Sequence, residues 1–102
     1  MDVKVNKGEW DGVSAEDRKK IEQIVSSHFK GTSVVPDTSA PTSQAFLTSR
    51  KMQTTDFNIC TAACGVAEAG AVAACALLTG GVAIAVCVAA AHAAGDWCRS
   101  QC

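Results

Sequence analysis

The sequence predicts an all-α fold: a disulfide-laddered antiparallel helical hairpin over about residues 57–102, and an amphipathic helix over about 14–30. Two observations carry this. The six cysteines, at 60, 64, 75, 87, 98 and 102, are arranged symmetrically about position 81, where Gly80 and Gly81 stand. Apolar residues in 14–30 recur at i, i+3, i+4, i+7 and i+8, one face of an α-helix.

The mirror selects a pairing. Six cysteines allow 15 connectivities, which sequence normally leaves open. In two helices running antiparallel around a Gly80–Gly81 turn, residues equidistant from the turn face each other. The pairs are then Cys60–Cys102, Cys64–Cys98 and Cys75–Cys87. At about 100° per residue, the cysteines of each helix fall in one stripe roughly 60° wide. Ala67 and Ala71 mirror Gly95 and Ala91, so small residues line the seam. They allow the close approach that a disulfide needs, with Cα atoms about 5.5 Å apart where packed helices normally lie 8–10 Å apart. Near the turn, Leu78 mirrors Ile84.

Residues 1–12 read as irregular. The 14–30 helix has marked ends, with Ser14 and Asp17 as a capping-box-like start and Gly31 as the C′ residue. Its stripe is Ile21, Ile24, Val25, His28 and Phe29. Residues 31–45, GTSVVPDTSAPTSQA, read as an extended or disordered Ser/Thr/Pro linker. Residues 46–58 fit a short helix around Phe46, Leu47 and Met52, or a loop. Asp56 is the expected cap of the first hairpin helix, from Phe57 to Leu78. The second runs from about Val82 to Cys102. The chain thus divides into a polar, cysteine-free part, 1–56, and an apolar, cysteine-dense part, 57–102.

From Ala69 to Gly95 the only ionisable side chain apart from cysteine is His92, a run of 27 residues. That would suffice for one membrane span. Two adjacent glycines at its middle argue instead for the hairpin, since each costs about 1 kcal/mol of helix propensity. Glu68 lies beside the cysteine stripe and reads as a salt-bridged or partly exposed carboxylate, with membrane insertion as its alternative role. His92 reads as a surface or interface histidine. The hairpin retains an apolar surplus, and Val66, Leu77, Val82, Val86 and Trp97 form the expected membrane or partner face. Ile21, Ile24, Val25 and Phe29 are expected to dock on the hairpin and mask that face.

The net charge of −1 gives no electrostatic basis for binding nucleic acid. No phosphate-binding loop, nucleophile elbow or His/Asp pair at a telling spacing occurs, so no enzyme is expected. No cofactor or resident metal is expected either. The four outer cysteines, if reduced, have the makings of a site for zinc, copper(I) or an iron–sulfur cluster. Cys75 and Cys87 lie three helical turns from that cluster, and only a disulfide ladder explains all six. Six bridged cysteines imply an oxidising, secreted destination. MDVKVNKGEW is not an apolar signal, so the chain either leaves by another route or stays inside with reduced thiols; the secreted reading takes the first.

The paired C-x3-C motifs on antiparallel helices resemble those of plant α-hairpinins, and the nested bridges resemble those of the mitochondrial twin-cysteine CHCH proteins. The segment CTAACGVAEAGAVAACALLTGGVAIAVC is similar in composition and layout to cysteine-rich helical bacteriocins of the halocin type. That last resemblance implies an antimicrobial precursor. Residues 1–56 would be a leader or immunity-type segment, and 57–102 a core acting on a target-cell membrane, with self-association and export or processing machinery as further partners. The alternatives are a non-toxic helical binding or structural protein, and a metal-binding cysteine hairpin in a reducing compartment.

Overall fold

Helices α4 (Ile59–Cys75) and α5 (Gly81–Ser100) form an antiparallel hairpin tied by three disulfides. The computed structural model of the protein describes residues 2–49 and 58–102. Before the hairpin come β1 (Asp2–Asn6), α1 (Lys7–Asp11), α2 (Ala15–His28), β2 (Ser33–Asp37) and α3 (Ser43–Ser49). Asp56, Phe57 and Met52, and the expected boundary between the two parts, lie outside the described residues.

Asn58 caps α4. Its side chain accepts from the Thr61 N–H at 2.8 Å, while the Thr61 hydroxyl accepts from the Asn58 N–H at 3.0 Å. This reciprocal pair satisfies two donors that the helix cannot use internally. The helix ends at Cys75, earlier than Leu78. The chain then tightens through i to i+3 bonds, from Leu77 N–H to Ala74 O and from Leu78 N–H to Cys75 O. Leu78 turns inward and is buried.

The Gly80–Gly81 turn does not use left-handed backbone. Gly80 is the N-cap of α5, at φ −107° and ψ 140°, and Gly81 is its first residue. Among the described residues only Gly31 has positive φ, at 80°. Gly31 occupies the tight turn between α2 and β2, two positions beyond the C-cap Phe29, and is not the C′ residue itself.

The all-α expectation needs correction. The fold is mainly helical, but β1 and β2 form a two-stranded parallel sheet in the register Asp2↔Ser33 to Asn6↔Asp37. Parallel strands need a crossover of a dozen or more residues, and α1 with α2 supplies it. Val3 and Val5 face the core while Asp2 and Lys4 face outward. Pro36 is tolerated because a two-stranded sheet has only edge strands.

The segment 31–45 is likewise no linker; it contains β2 and the start of α3. Glu9 Oε1 accepts from the Ser43 N–H at 2.7 Å and from the Ser43 hydroxyl at 2.9 Å. Asn6 donates to Ala40 O at 3.0 Å. Asp37 Oδ1 takes the Ser39 N–H at 2.8 Å, closing an Asx-type turn. These bonds fold the polar stretch back onto α1.

Helix α2 begins as read, with Ser14 Oγ accepting from the Asp17 N–H at 3.2 Å. The Asp17 carboxylate reaches elsewhere: it is buried and accepts from the Thr79 hydroxyl at 3.1 Å. That bond ties the start of α2 to the hairpin turn. At its other end, the His28 ring lies against Gly70, where a Cβ would come within 3.2 Å of it. Between these points Ile21, Val25 and Phe29 are buried, and Ile24 is half-buried, in one core with Val3, Trp10, Val34, Cys75, Val86 and Ala90.

Because neither turn glycine needs positive φ, alanine should be accepted there. A Cβ on Gly81 meets nothing within 4 Å, and one on Gly80 makes only ordinary contacts at 3.8 Å. The Gly80→Ala/Gly81→Ala protein should refold oxidatively with the same disulfide map and a stability within about 1 kcal/mol of the parent. Peptide mapping and urea denaturation check this; a scrambled map would contradict it.

Candidate functional site

The hairpin seam carries the protein's distinctive chemistry. The disulfides are Cys60–Cys102, Cys64–Cys98 and Cys75–Cys87, with Cα–Cα distances of 5.8, 5.7 and 5.6 Å. Such a spacing is possible because Ala71, Ala91 and Gly95 are buried between the bridges. Exposure falls along the ladder. Cys60 and Cys102 are exposed, Cys64 is buried and Cys98 half-buried, and Cys75 and Cys87 are fully buried. Two bridges meet at the open end, where Cys64 Sγ lies 4.0 Å from Cys102 Sγ.

Next to the Cys64–Cys98 bridge lies a charge cluster. Glu68 is only 8% exposed. Its Oε1 is 2.5 Å from His92 Nδ1, and its Oε2 accepts from the Arg99 guanidinium. The other arm of Arg99 reaches Asp96 Oδ1 at 2.5 Å. Gly95 makes room for this carboxylate, since a Cβ there would lie 2.7 Å from Glu68 Cδ. The hydrogen bond that Arg99 donates to Glu68 raises the Arg99 pKa above its ordinary value, outweighing the desolvation that opposes it. Glu68, His92, Asp96 and Arg99 are all the ionisable side chains of residues 58–102 other than cysteine. The apolar half thus gathers its charges at one place, where pairing offsets the cost of burying them.

His92 is therefore no simple surface histidine, and Glu68 takes the salt-bridged of its two readings. The sequence carries a signal for this cluster. The mirror sets Glu68 opposite Ala94, beside Gly95. His92 and Arg99 stand three residues before and four after Gly95, on one stripe of α5.

The expected membrane or partner face divides. Ile59, Val66 and Leu77 are 89%, 74% and 80% exposed, and Ala63, Ala69, Ala73 and Ala76 are exposed around them. Val82 is exposed at the start of α5. The outer side of α4 is thus a charge-free apolar strip. Val86, by contrast, is fully buried in the core, and Trp97 is half-buried outside it. Helix α2 does dock on the hairpin, but against the side carrying Ala71, Cys75 and Val86, so Val66 and Leu77 remain uncovered. At the edge of that contact the His28 ring meets Gly70, while Val66, four residues earlier on the same side of α4, and Leu77 stay exposed.

Compared with protein-family models, curated proteins and solved structures, the chain matches none.

Two outcomes are expected. Gly95→Ala should destabilise by about 1–3 kcal/mol through overpacking against Glu68. In a Glu68→Ala background the same change should cost almost nothing, a coupling that a double-mutant cycle in denaturant measures. Under graded reduction with mass-spectrometric thiol mapping, Cys60–Cys102 should open first and Cys75–Cys87 last, following their exposure.

Proposed function

We propose that the protein is a bacteriocin-like antimicrobial precursor whose C-terminal disulfide-stapled hairpin acts on target-cell membranes. The observation carrying this reading is the packing of the N-terminal β1–α1–α2–β2 unit on α5. Among the described residues, α5 alone is long and apolar enough to cross a membrane. Its 20 residues span about 30 Å, the thickness of a bilayer's hydrocarbon core. In the intact chain its Val86, Ala90 and Ala94 are buried in the shared core. On this reading residues 1 to about 56 are a leader that holds α5 away from lipid.

Two features support the membrane role. The outer strip of α4 offers an uncharged first contact for a bilayer. The charges of the hairpin are paired with one another, which lowers the cost of taking them out of water. Insertion would then follow release of the N-terminal unit, with the Val86 side turning to lipid or to a second hairpin. Three intramolecular disulfides are consistent with an oxidising or extracellular location.

A second reading, a non-toxic helical binding protein, is favoured by the single core that joins Val3, Ile21 and Val25 to Cys75 and Val86. There the N-terminal part is permanent structure and the α4 strip is a docking face.

One experiment separates them. A specific protease site is placed within residues 50–57, and the oxidised protein is added to anionic dye-loaded vesicles before and after cutting, with the N-terminal piece removed by its tag. The precursor reading expects leakage to rise sharply on removal. Leakage absent in both states favours the binding protein and sinks the membrane mechanism. Full leakage before cutting refutes masking.

A further inference from the structure

Four cysteines converge at the open end of the hairpin. Cys60 and Cys64 are one turn apart on α4, and Cys98 and Cys102 are one turn apart at the end of α5. The sulfurs of Cys60, Cys64 and Cys102 lie within 4.8 Å of one another. Cys64 Sγ and Cys102 Sγ belong to different bridges yet are 4.0 Å apart. Cys98 Sγ, the fourth sulfur, is bonded to Cys64 Sγ and stands farther from the Cys60 or the Cys102 sulfur than those three stand from one another, so it is the one that must swing inward.

That spacing is close to a metal site's. Tetrahedral tetrathiolate zinc has Zn–S bonds of about 2.3 Å, which puts its sulfurs about 3.8 Å apart. The distance between the two bridges already approaches this edge. Once an S–S bond is broken, side-chain rotation lets its two sulfurs separate to the same distance, with the helices left in place. The inner bridge takes no part, because Cys75 and Cys87 are fully buried lower in the seam. Access also fits: Cys60 and Cys102 are exposed to a reductant, while buried Cys64 closes the inner side.

We propose that Cys60, Cys64, Cys98 and Cys102, when reduced, bind one Zn2+ as a tetrathiolate, giving the hairpin a metal-clamped form in reducing surroundings beside its disulfide form. Each bridge is opened by one dithiol reductant, which supplies two electrons and two protons and leaves as its own disulfide. Two dithiols therefore free the four thiols. Zn2+ then displaces up to four thiol protons to solvent, so binding weakens as pH falls. The metal joins the start of α4 to the end of α5, the same two places the outer bridges join. This proposal is independent of the membrane reading.

The test uses the full chain, reduced anaerobically with a phosphine until at least four thiols titrate, with Co2+ as the probe. One Co2+ per chain should bind with the intense visible bands of tetrahedral tetrathiolate cobalt, and Zn2+ should bleach them. Cys98→Ser should lose those bands, while the Cys75→Ala/Cys87→Ala protein should keep them. With Zn2+ bound, alkylation should spare the four outer cysteines. A reduced chain that titrates its thiols but gives no such bands overturns the proposal. So does persistence of the tetrathiolate bands in the Cys60→Ser/Cys102→Ser protein.

Discussion

The close approach of two helices along one seam governs this structure. Bridged Cα atoms less than 6 Å apart force the residues that face each other between the bridges to be small, Glu68 excepted. Hence alanine and glycine fill the seam, and the larger apolar side chains are displaced to its flanks. A pair of helices built this way has little core of its own. It must find apolar partners elsewhere, and the N-terminal unit provides Ile21, Val25, Phe29 and the two strand valines.

The same constraint accounts for the placement of charge. A seam this narrow would exclude a glutamate, were it not for the missing side chain at Gly95. Glu68 enters that gap, where Arg99 on the opposite helix pairs with its charge and His92 hydrogen-bonds to it. The partners lie on both helices, so the cluster also fixes their register. A slip by one residue would separate the bridges and the ion pairs together. Stapling and charge pairing thus specify the same alignment, the kind of agreement between levels that marks a well-defined fold.

The sequence made the hairpin legible because mirror symmetry is a geometric statement, independent of propensity. It located the cysteine pairs, the turn and the small-residue seam. The start of the 14–30 helix was legible through Ser14. The sheet was not. Its strands have five residues each, too short for alternation to stand out, and Val34–Val35 sit among Ser, Thr and Pro that read as linker. The bonds that order that stretch, from Ser43 to Glu9 and from Asn6 to Ala40, join residues 34 positions apart and leave no local trace. Val86 reads as an outer-face residue because the side on which α2 docks is set by contacts between assembled helices, such as the reach of Asp17 to Thr79. The charge cluster was readable in principle from the mirror and the His92, Gly95, Arg99 spacing.

The nesting of the bridges has a kinetic side. Their sequence separations are 12, 34 and 42 residues from the inside out. Closing the 34-residue loop first costs about 1 kcal/mol more chain entropy than closing the 12-residue one. Once Cys75 and Cys87 are joined, only the two arms between Cys64 and Cys75 and between Cys87 and Cys98 separate the next pair. Each closure so shortens the search for the following one, and oxidation can run like a zipper from the turn outward. An order of formation is thus written into the spacing of the thiols, and it guides six interchangeable groups to one partner each without a template.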